Sequence, residues 1–465
     1  MAKKTVLSID LGAESGRVMA VHFDGQKLSL EEIHRFLNPT IKVGRTLHWD
    51  FLGLWQNIQQ GIAKGKEFTP SSLGVDTWGV DFGLLDKQGN LIGNPVNYRD
   101  ERTNGMMERV FEQVPKGEVF EQTGIQFMPI NTLYQMMSLV ESNSPQLDIA
   151  ETFLTAPDLL NYWLTGAKVC EFSNATTTQM LDPRTGTWAT GMLDSLGIPT
   201  HILPEIVRPG TQLGMYDGIP VIAPACHDTG SAVAAVPSQH KNFAYISNGT
   251  WSLVGLELPE PIINSAALEA NVTNEGGVYG TIRLLKNVMG LWILQQCRQQ
   301  WAKNGNQIDY ETLVSMAEQA QPLRSIIQVN DNRLLPPGNH PKIIQTLCRE
   351  SGQPIPETKG EIVRCVLESL ALKYRSVLNN LLALSGRSAD VIHIVGGGTQ
   401  NELLNQLTAD ATGIPVQTGP IEATVLGNAL VQFITLGEIK NLDEGRKLIA
   451  ESFPAKYYHP NQIYT

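Results

Sequence analysis

Apolar and polar positions along the chain sort it into strand–turn pairs and longer helical stretches. Val6-Leu7-Ser8-Ile9 is an apolar run, broken at Asp10-Leu11-Gly12-Ala13-Glu14-Ser15-Gly16-Arg17 and resumed from Val18 to Phe23. Two such runs around a Gly-flanked break predict a β-hairpin. Residues 51–64 have helical spacing. Residues 73–85 have strand-like flanks around a centre holding Asp76, Trp78, Gly79 and Asp81. Helices and loops alternate from 150 to 200, with 174–179 as a polar loop. Residues 221–236 predict a short buried strand, a tight turn containing Asp228, and a helix of small residues. A polar break at 237–242 marks a boundary. The opening pattern then returns, with strand 243–247, turn 248–252 and strand 253–256. Residues 286–295 read as a loop entering a helix, with Asn287, Leu291 and Gln295 at i, i+4, i+8 on one face. A long helix is predicted over 361–384 and a buried strand over 391–395. Three glycines, Gly396 to Gly398, follow, and then a helix for which Thr399 and Glu402 form a capping box. A hairpin heading each half predicts an α/β protein of two duplicated domains, 1–240 and 241–465, facing each other across a cleft.

Size and composition narrow the class. At 465 residues the chain has room for two to three domains and an ample core. With 42% hydrophobic and 17% charged residues it reads as globular. A net charge of −11 argues against a nucleic-acid backbone as partner, though not against a nucleotide. The N-terminal apolar run ends at Asp10, too early for a signal peptide, and no run reaches membrane-spanning length. A soluble, cytoplasmic protein is therefore expected. The five cysteines are scattered without a C-x-x-C pair, so reduced thiols are expected. Cys348 and Cys365 are the one pair worth checking for a bond, and none is expected.

The candidate chemistry sits in the turns. Asp228 lies where a helix begins, beside Thr229, Gly230 and Ser231, whose small side chains let backbone amides approach an anion. A carboxylate there can accept the proton of a hydroxyl attacking a phosphate. It can equally cap its own helix. Asp76 and Asp81, in an otherwise buried strand, need partners, which a polyol or Arg99 and Arg102 would supply. Trp78 suits a sugar face or a core. Three consecutive glycines clear space for a flat group such as adenine or ribose. Neither Gly-x-Gly-x-x-Gly nor Gly-x-x-x-x-Gly-Lys-Ser/Thr occurs, which excludes the Rossmann and P-loop readings.

Taken together, these turns identify a resemblance. The chain resembles the FGGY carbohydrate kinases of the actin-like ATPase superfamily over nearly its whole length. Residues 10–17 look like the first phosphate loop, 248–252 like the second, and 396–410, with Asn401, Asn405 and Gln406, like the adenosine motif. Residues 227–229 look like the segment carrying the family's catalytic Asp. Stretches at 76–82, 98–100, 124–127, 131–135, 174–179 and 286–292 are most similar to the branch acting on L-rhamnulose. The Lys and Trp that many relatives carry near 131–138 are missing, which counts against xylulose or glycerol.

The resemblance implies a phosphotransferase with an alcohol acceptor, using ATP and Mg2+ to phosphorylate L-rhamnulose at O1. It implies Asp228 as general base, and Gly79, His227, Asp228, Thr229 and Asn287 as sugar contacts. Ala13, Glu14, Ser15, Gly16, Arg17, Thr250, Gln295 and Gly397 would contact ATP, and Asp10 would sit near magnesium through water. Glu14 stands where relatives often carry Ser, so that loop is credited with its backbone amides. A monomer or homodimer is expected. The rival readings are a kinase for another ketose, such as L-fuculose, and a non-catalytic actin-like ATP sensor.

Overall fold

The apolar run that opens the chain is the strand Lys4–Leu11, buried from its second residue onward. A strand covered on both faces needs apolar side chains throughout rather than at alternate positions, which is why the run is continuous. The computed structural model describes residues 3–240 and 242–461. They form two compact units, one from the N-terminus to Gln239 with Glu257–Leu285 and Ala423–Phe453, the other His240–Leu256, Lys286–Glu422 and the chain from Pro454. The division after Gln239 falls in the polar break at 237–242, of which Lys241 lies outside the described residues. Segments 257–285 and 423–453, which the sequence reading leaves in the second half, cluster with the first unit.

In the first unit the sheet order is Gln212–Tyr216, Ile219–Ile222, Leu73–Thr77, Lys4–Leu11, Ser15–Phe23, Leu28–Leu37. Lys4–Leu11 pairs antiparallel with Ser15–Phe23 and parallel with Leu73–Thr77. The helix Phe51–Gly65, capped by Asp50 at the Gly53 amide, lies on the same sheet, with Gly61 against Val18. The helix Ala423–Thr435 supplies the sheet with polar partners. Gln432 donates from Nε2 to the Leu7 carbonyl at 3.1 Å, and Asn428 from Nδ2 to Asp76 Oδ2 at 2.6 Å. A side chain at Gly427 would collide with the Ser231 carbonyl, so only glycine lets this helix approach the 228–234 helix so closely.

The second unit repeats the arrangement. Phe243–Asn248 turns at Gly249 into Trp251–Leu258 and runs parallel to Val391–Val395, with Val416–Thr418 and Lys456–Tyr458 beyond. The long helix is Lys359–Ser385, opened by a capping box between Thr358 and Glu361.

Two local expectations change. Lys286 and Asn287 belong to the strand Ile282–Met289, and the next helix begins at Trp292, so Asn287 and Gln295 do not share a helix face. The polar pair interrupts an apolar strand and mimics a loop. The helix Glu402–Thr412 is capped by Asn401, whose side chain accepts from the Leu404 amide. Thr399 sits in a preceding 3-10 turn, Gly397–Gln400, and its hydroxyl donates to the Gly396 carbonyl at 2.7 Å. All five cysteines are free and buried. Among the described residues, no helix is long and apolar enough to cross a membrane.

Candidate active site

Three neighbouring chain segments of the first unit deliver carboxylates to one sheet end. Asp10 and Asp76 lie directly opposite each other near the ends of parallel strands. Thr77 bridges to His227, and its amide donates to the Cys226 carbonyl at 2.9 Å, which places the turn carrying Asp228 next in line. Ligand sites of open α/β sheets form beyond such C-terminal strand ends. Arg17, opposite Asp10 in the hairpin, donates to Asp10 Oδ2 from Nε at 2.9 Å and Nη2 at 2.6 Å. Burial, then the negative charge of Asp10, pushes the Asp76 carboxyl well above the usual range, with the Asn428 hydrogen bond opposing. Asp76 Oδ1 has no hydrogen-bond partner among the described residues.

Asp228 is the first residue of the helix Asp228–Ala234, and His227 stands at the cap position without a side-chain cap bond. Asp228 Oδ1 accepts from the Thr229 amide at 2.5 Å and the Thr229 hydroxyl at 3.1 Å, and His227 Nε2 lies 3.4 Å away. Burial raises its pKa, while the imidazole of His227 opposes and the charge of Asp10 adds. Its side chain is 29% exposed, whereas that of Asp10 is 7% exposed and Asp76 is fully covered. Of the three acids, Asp228 is the one a solute can reach.

The turn is fixed from behind. Glu171 Oε2 accepts from the Cys226 amide at 2.9 Å, and Ser173 Oγ accepts from the His227 amide at 3.1 Å. Asn174 Nδ2 donates to the carbonyls of Trp78 and Cys226 at 3.3 and 3.4 Å. The stretch 174–179, a polar loop in the sequence reading, is thus a buried clamp with its polar groups turned inward. Thr177 Oγ1 accepts from the Val80 amide at 3.0 Å, and a Cβ at Gly79 would lie 2.9 Å from that oxygen. Val80 itself has a φ of 70°, a strained conformation for a β-branched residue.

Asp81 finds protein partners. Its Oδ2 accepts from Trp49 Nε1 at 2.5 Å, Trp78 Nε1 at 2.9 Å and the Tyr98 amide at 3.3 Å, and its Oδ1 from Gln135 Nε2 at 3.0 Å. Burial pushes this carboxyl up to about 6 against those bonds and the charge of Arg102. Arg102 donates to Gln135 Oε1 at 2.7 Å, and Arg99 lies 5.0 Å from the Tyr98 ring centroid. Trp78 packs against Trp49 with centroids 4.2 Å apart, so its role is core.

At the tip of the first hairpin, the Gly12 amide donates to the Ser15 carbonyl at 2.9 Å and Asn38 Nδ2 to the Gly12 carbonyl at 3.0 Å. Glu14 is exposed there, and Ala13 and Ser15 are half-buried.

In the second unit, the carbonyls of Gly249 and Thr250 accept from the Leu291 amide at 3.0 Å and the Trp292 amide at 3.2 Å. This ties the hairpin turn to the start of the helix bearing Gln295. Gly396, at φ 85°, and Gly398 press against Asn248, while Gly397 is exposed with open space where a Cβ would be. Buried polar atoms without a partner among the described residues gather on these elements: Asn248 Nδ2, Gln295 Oε1 and Asn405 Oδ1. Buried polar groups are normally paired, and each of these three atoms retains capacity for a further hydrogen bond.

Two family models match consecutive parts of the chain. The N-terminal domain of the FGGY family of carbohydrate kinases matches residues 5–232, and its C-terminal domain residues 244–436. The chain belongs to the FGGY family of carbohydrate kinases. Among curated relatives of this FGGY chain, the rhamnulokinase of Bacteroides thetaiotaomicron is 44% identical, covering 99% of this chain and 97% of that protein. That of Pectobacterium atrosepticum is 43% identical, covering 99% and 94%. Among solved structures, gluconate kinase from Lactobacillus acidophilus superposes with a TM-score of 0.79 at 16% identity, covering 99% of this chain and 94% of that one. Plasmodium falciparum glycerol kinase with ADP gives 0.78 at 17%, covering 98% and 94%. At such identities the likeness shows the fold, which is that of the FGGY kinases: two actin-like α/β domains.

The first unit of this family member holds Asp10, Ala13 to Arg17, Gly79, His227, Asp228 and Thr229, and the second holds Thr250, Asn287, Gln295 and Gly397. Sequence reasoning passed over Glu171, Glu275, Arg283 and Asn428. Charged residues inside apolar strands, such as Arg283 among Ile282, Leu284 and Leu285, were the available signal.

Proposed function

We propose that this chain transfers the γ-phosphoryl group of ATP to O1 of L-rhamnulose, giving ADP and L-rhamnulose 1-phosphate. The observation that carries the reading is near-complete mutual coverage with proteins named rhamnulokinase at 42–44% identity. Asp228 acts as general base, taking the proton of the O1 hydroxyl as that oxygen attacks phosphorus. Its solvent-reached carboxylate, raised above the ordinary range, suits it to hold that proton. Gly79, His227, Thr229 and Asn287 hold the ketose. Ala13, Glu14 (through its backbone), Ser15, Gly16, Arg17, Thr250, Gln295 and Gly397 hold ATP. Residues 1–240 thus supply the base, most of the sugar contacts and the first phosphate loop, and 241–465 supply Asn287 and the remaining nucleotide contacts. A general base adds about 10²–10⁴-fold, so most of the acceleration comes from positioning and charge neutralisation.

Magnesium fits the acids of the first unit. Asp76 Oδ1 is a buried oxygen without a hydrogen-bond partner among the described residues, and burial, with the charge of Asp10 adding, raises both Asp76 and Asp228. Among the described residues no cluster of three or more His, Cys, Asp or Glu forms a ready cage. Mg2+ keeps several waters and needs only one or two carboxylates. Asp10 would hold it through water, with Asp76 beside it. When bound it neutralises charge developing on the phosphates. The deciding experiment is incubation with ATP, magnesium and a panel of ketoses, with product identified by mass and NMR. L-rhamnulose 1-phosphate with the highest kcat/KM supports the reading. Higher kcat/KM for L-fuculose, or ATP hydrolysis without phosphosugar, replaces it.

A further inference from the structure

His227 stands between two carboxylates. On one edge its Nε2 faces Asp228 Oδ1 at 3.4 Å. On the other its Nδ1 lies 3.2 Å from Glu275 Oε2 and 3.1 Å from Arg283 Nη2. Glu275 and Arg283 occupy opposite positions in the antiparallel pair of Thr273–Gly276 with Ile282–Met289, and Arg283 Nη2 is 3.2 Å from Glu275 Oε2. Arg283 Nε also donates to the Gly276 carbonyl at 2.9 Å. The strand is pinned in turn, because Thr176 Oγ1 accepts from the Gly276 amide at 2.8 Å and a Cβ at Gly276 would strike the Phe172 ring.

We propose that Glu275, together with Arg283, is a positioning residue for phosphoryl transfer. It holds the Nδ1 edge of His227 so that Nε2 stays aimed at the carboxylate of Asp228. The inference rests on Asp228 being the base. An imidazole ring is free to turn about χ2 unless one nitrogen is engaged, and the partner at one nitrogen decides what the other presents. Burying a glutamate and an arginine is expensive, and an apolar pair of similar volume commonly serves stability as well. Arg283 is fully covered, and its Nη1 has no partner among the described residues, so the pair is poorly optimised for stability alone. What it does provide is a fixed edge for one ring, next to the turn that carries the base.

The test uses the full chain with Glu275→Leu, which removes the carboxylate from the Nδ1 edge, and Glu275→Gln, which keeps an oxygen there. Leucine is expected to lower kcat/KM for the ketose at least tenfold with KM for ATP within twofold, and glutamine to restore most of the loss. In a His227→Asn background the leucine substitution is expected to have no further effect, because the two residues act as a unit. An equal loss in both backgrounds, a parallel rise in KM for ATP, or unchanged kinetics in the folded variant overturns the proposal. A second readout needs no turnover: ¹⁵N NMR of the histidine rings in the free protein. Glu275→Leu should move the Nδ1 resonance of His227 and leave the other histidines in place. An unmoved His227 resonance refutes the positioning role, whereas a wild-type chain that phosphorylates no ketose refutes only the kinase reading.

Discussion

Replacing Asp228 with asparagine preserves the size of the side chain and removes its capacity to take a proton. The expected result is a fall in kcat of at least about 10²-fold with ATP binding near normal. A folded variant with unchanged kcat removes Asp228 from the chemistry. Asp81 makes a different prediction, about stability. Its folded pKa of about 6 exceeds the unfolded value of about 3.9. The folded state therefore binds that proton more tightly. Its contribution is full below pH 4 and is lost as pH rises through 6. A shift of about two units corresponds to about 3 kcal/mol. Urea unfolding of wild type and Asp81→Asn between pH 4 and 7 should show wild type losing ground to the variant by roughly that amount. A pH-independent difference would show that the buried carboxyl does not titrate there.

At the scale of elements, the three glycines at 396–398 differ in what they tolerate. Gly398 is closed by the Asn248 side chain and Gly396 holds a positive φ, but Gly397 has open space and an ordinary backbone. Gly397→Val should therefore fold normally and raise KM for ATP more than KM for the ketose. Equal effects on both would reduce the turn to a structural feature. The hairpins and glycine turns were legible in the sequence because fully buried strands leave unbroken apolar runs and their breaks stand out. The strand at 282–289 was not, since Lys286 and Asn287 interrupt it. The cap of the 402–412 helix was misplaced because a 3-10 turn intervenes between two good capping residues, Thr399 and Asn401. The position of Asp228 at the start of a helix was legible from its turn. The pairing of His227 with Glu275 was not, because it depends on the register of two strands far along the chain.

At the scale of the molecule, the first unit is assembled from three separated stretches. No local pattern announces that residues 423–453 supply helices that pack with a sheet begun at residue 4. A fragment of residues 1–240 would lack Asn428 and Gln432, leaving Asp76 and the Leu7 carbonyl without those partners. Such a fragment is expected to show no cooperative urea transition and poor NMR dispersion. A sharp two-state transition would mean that the first 240 residues are self-sufficient.

The same thread has a cost during synthesis. Asn428 follows Asp76 by 352 residues. At about 5–20 residues per second, a ribosome delivers the partner on the order of twenty to seventy seconds after the acid. Until then the nascent sheet waits with its central carboxylate uncovered and one flank bare. Yield in a cell should accordingly respond to chaperone supply and to translation speed through the stretch between those two residues, even where the finished protein is unchanged.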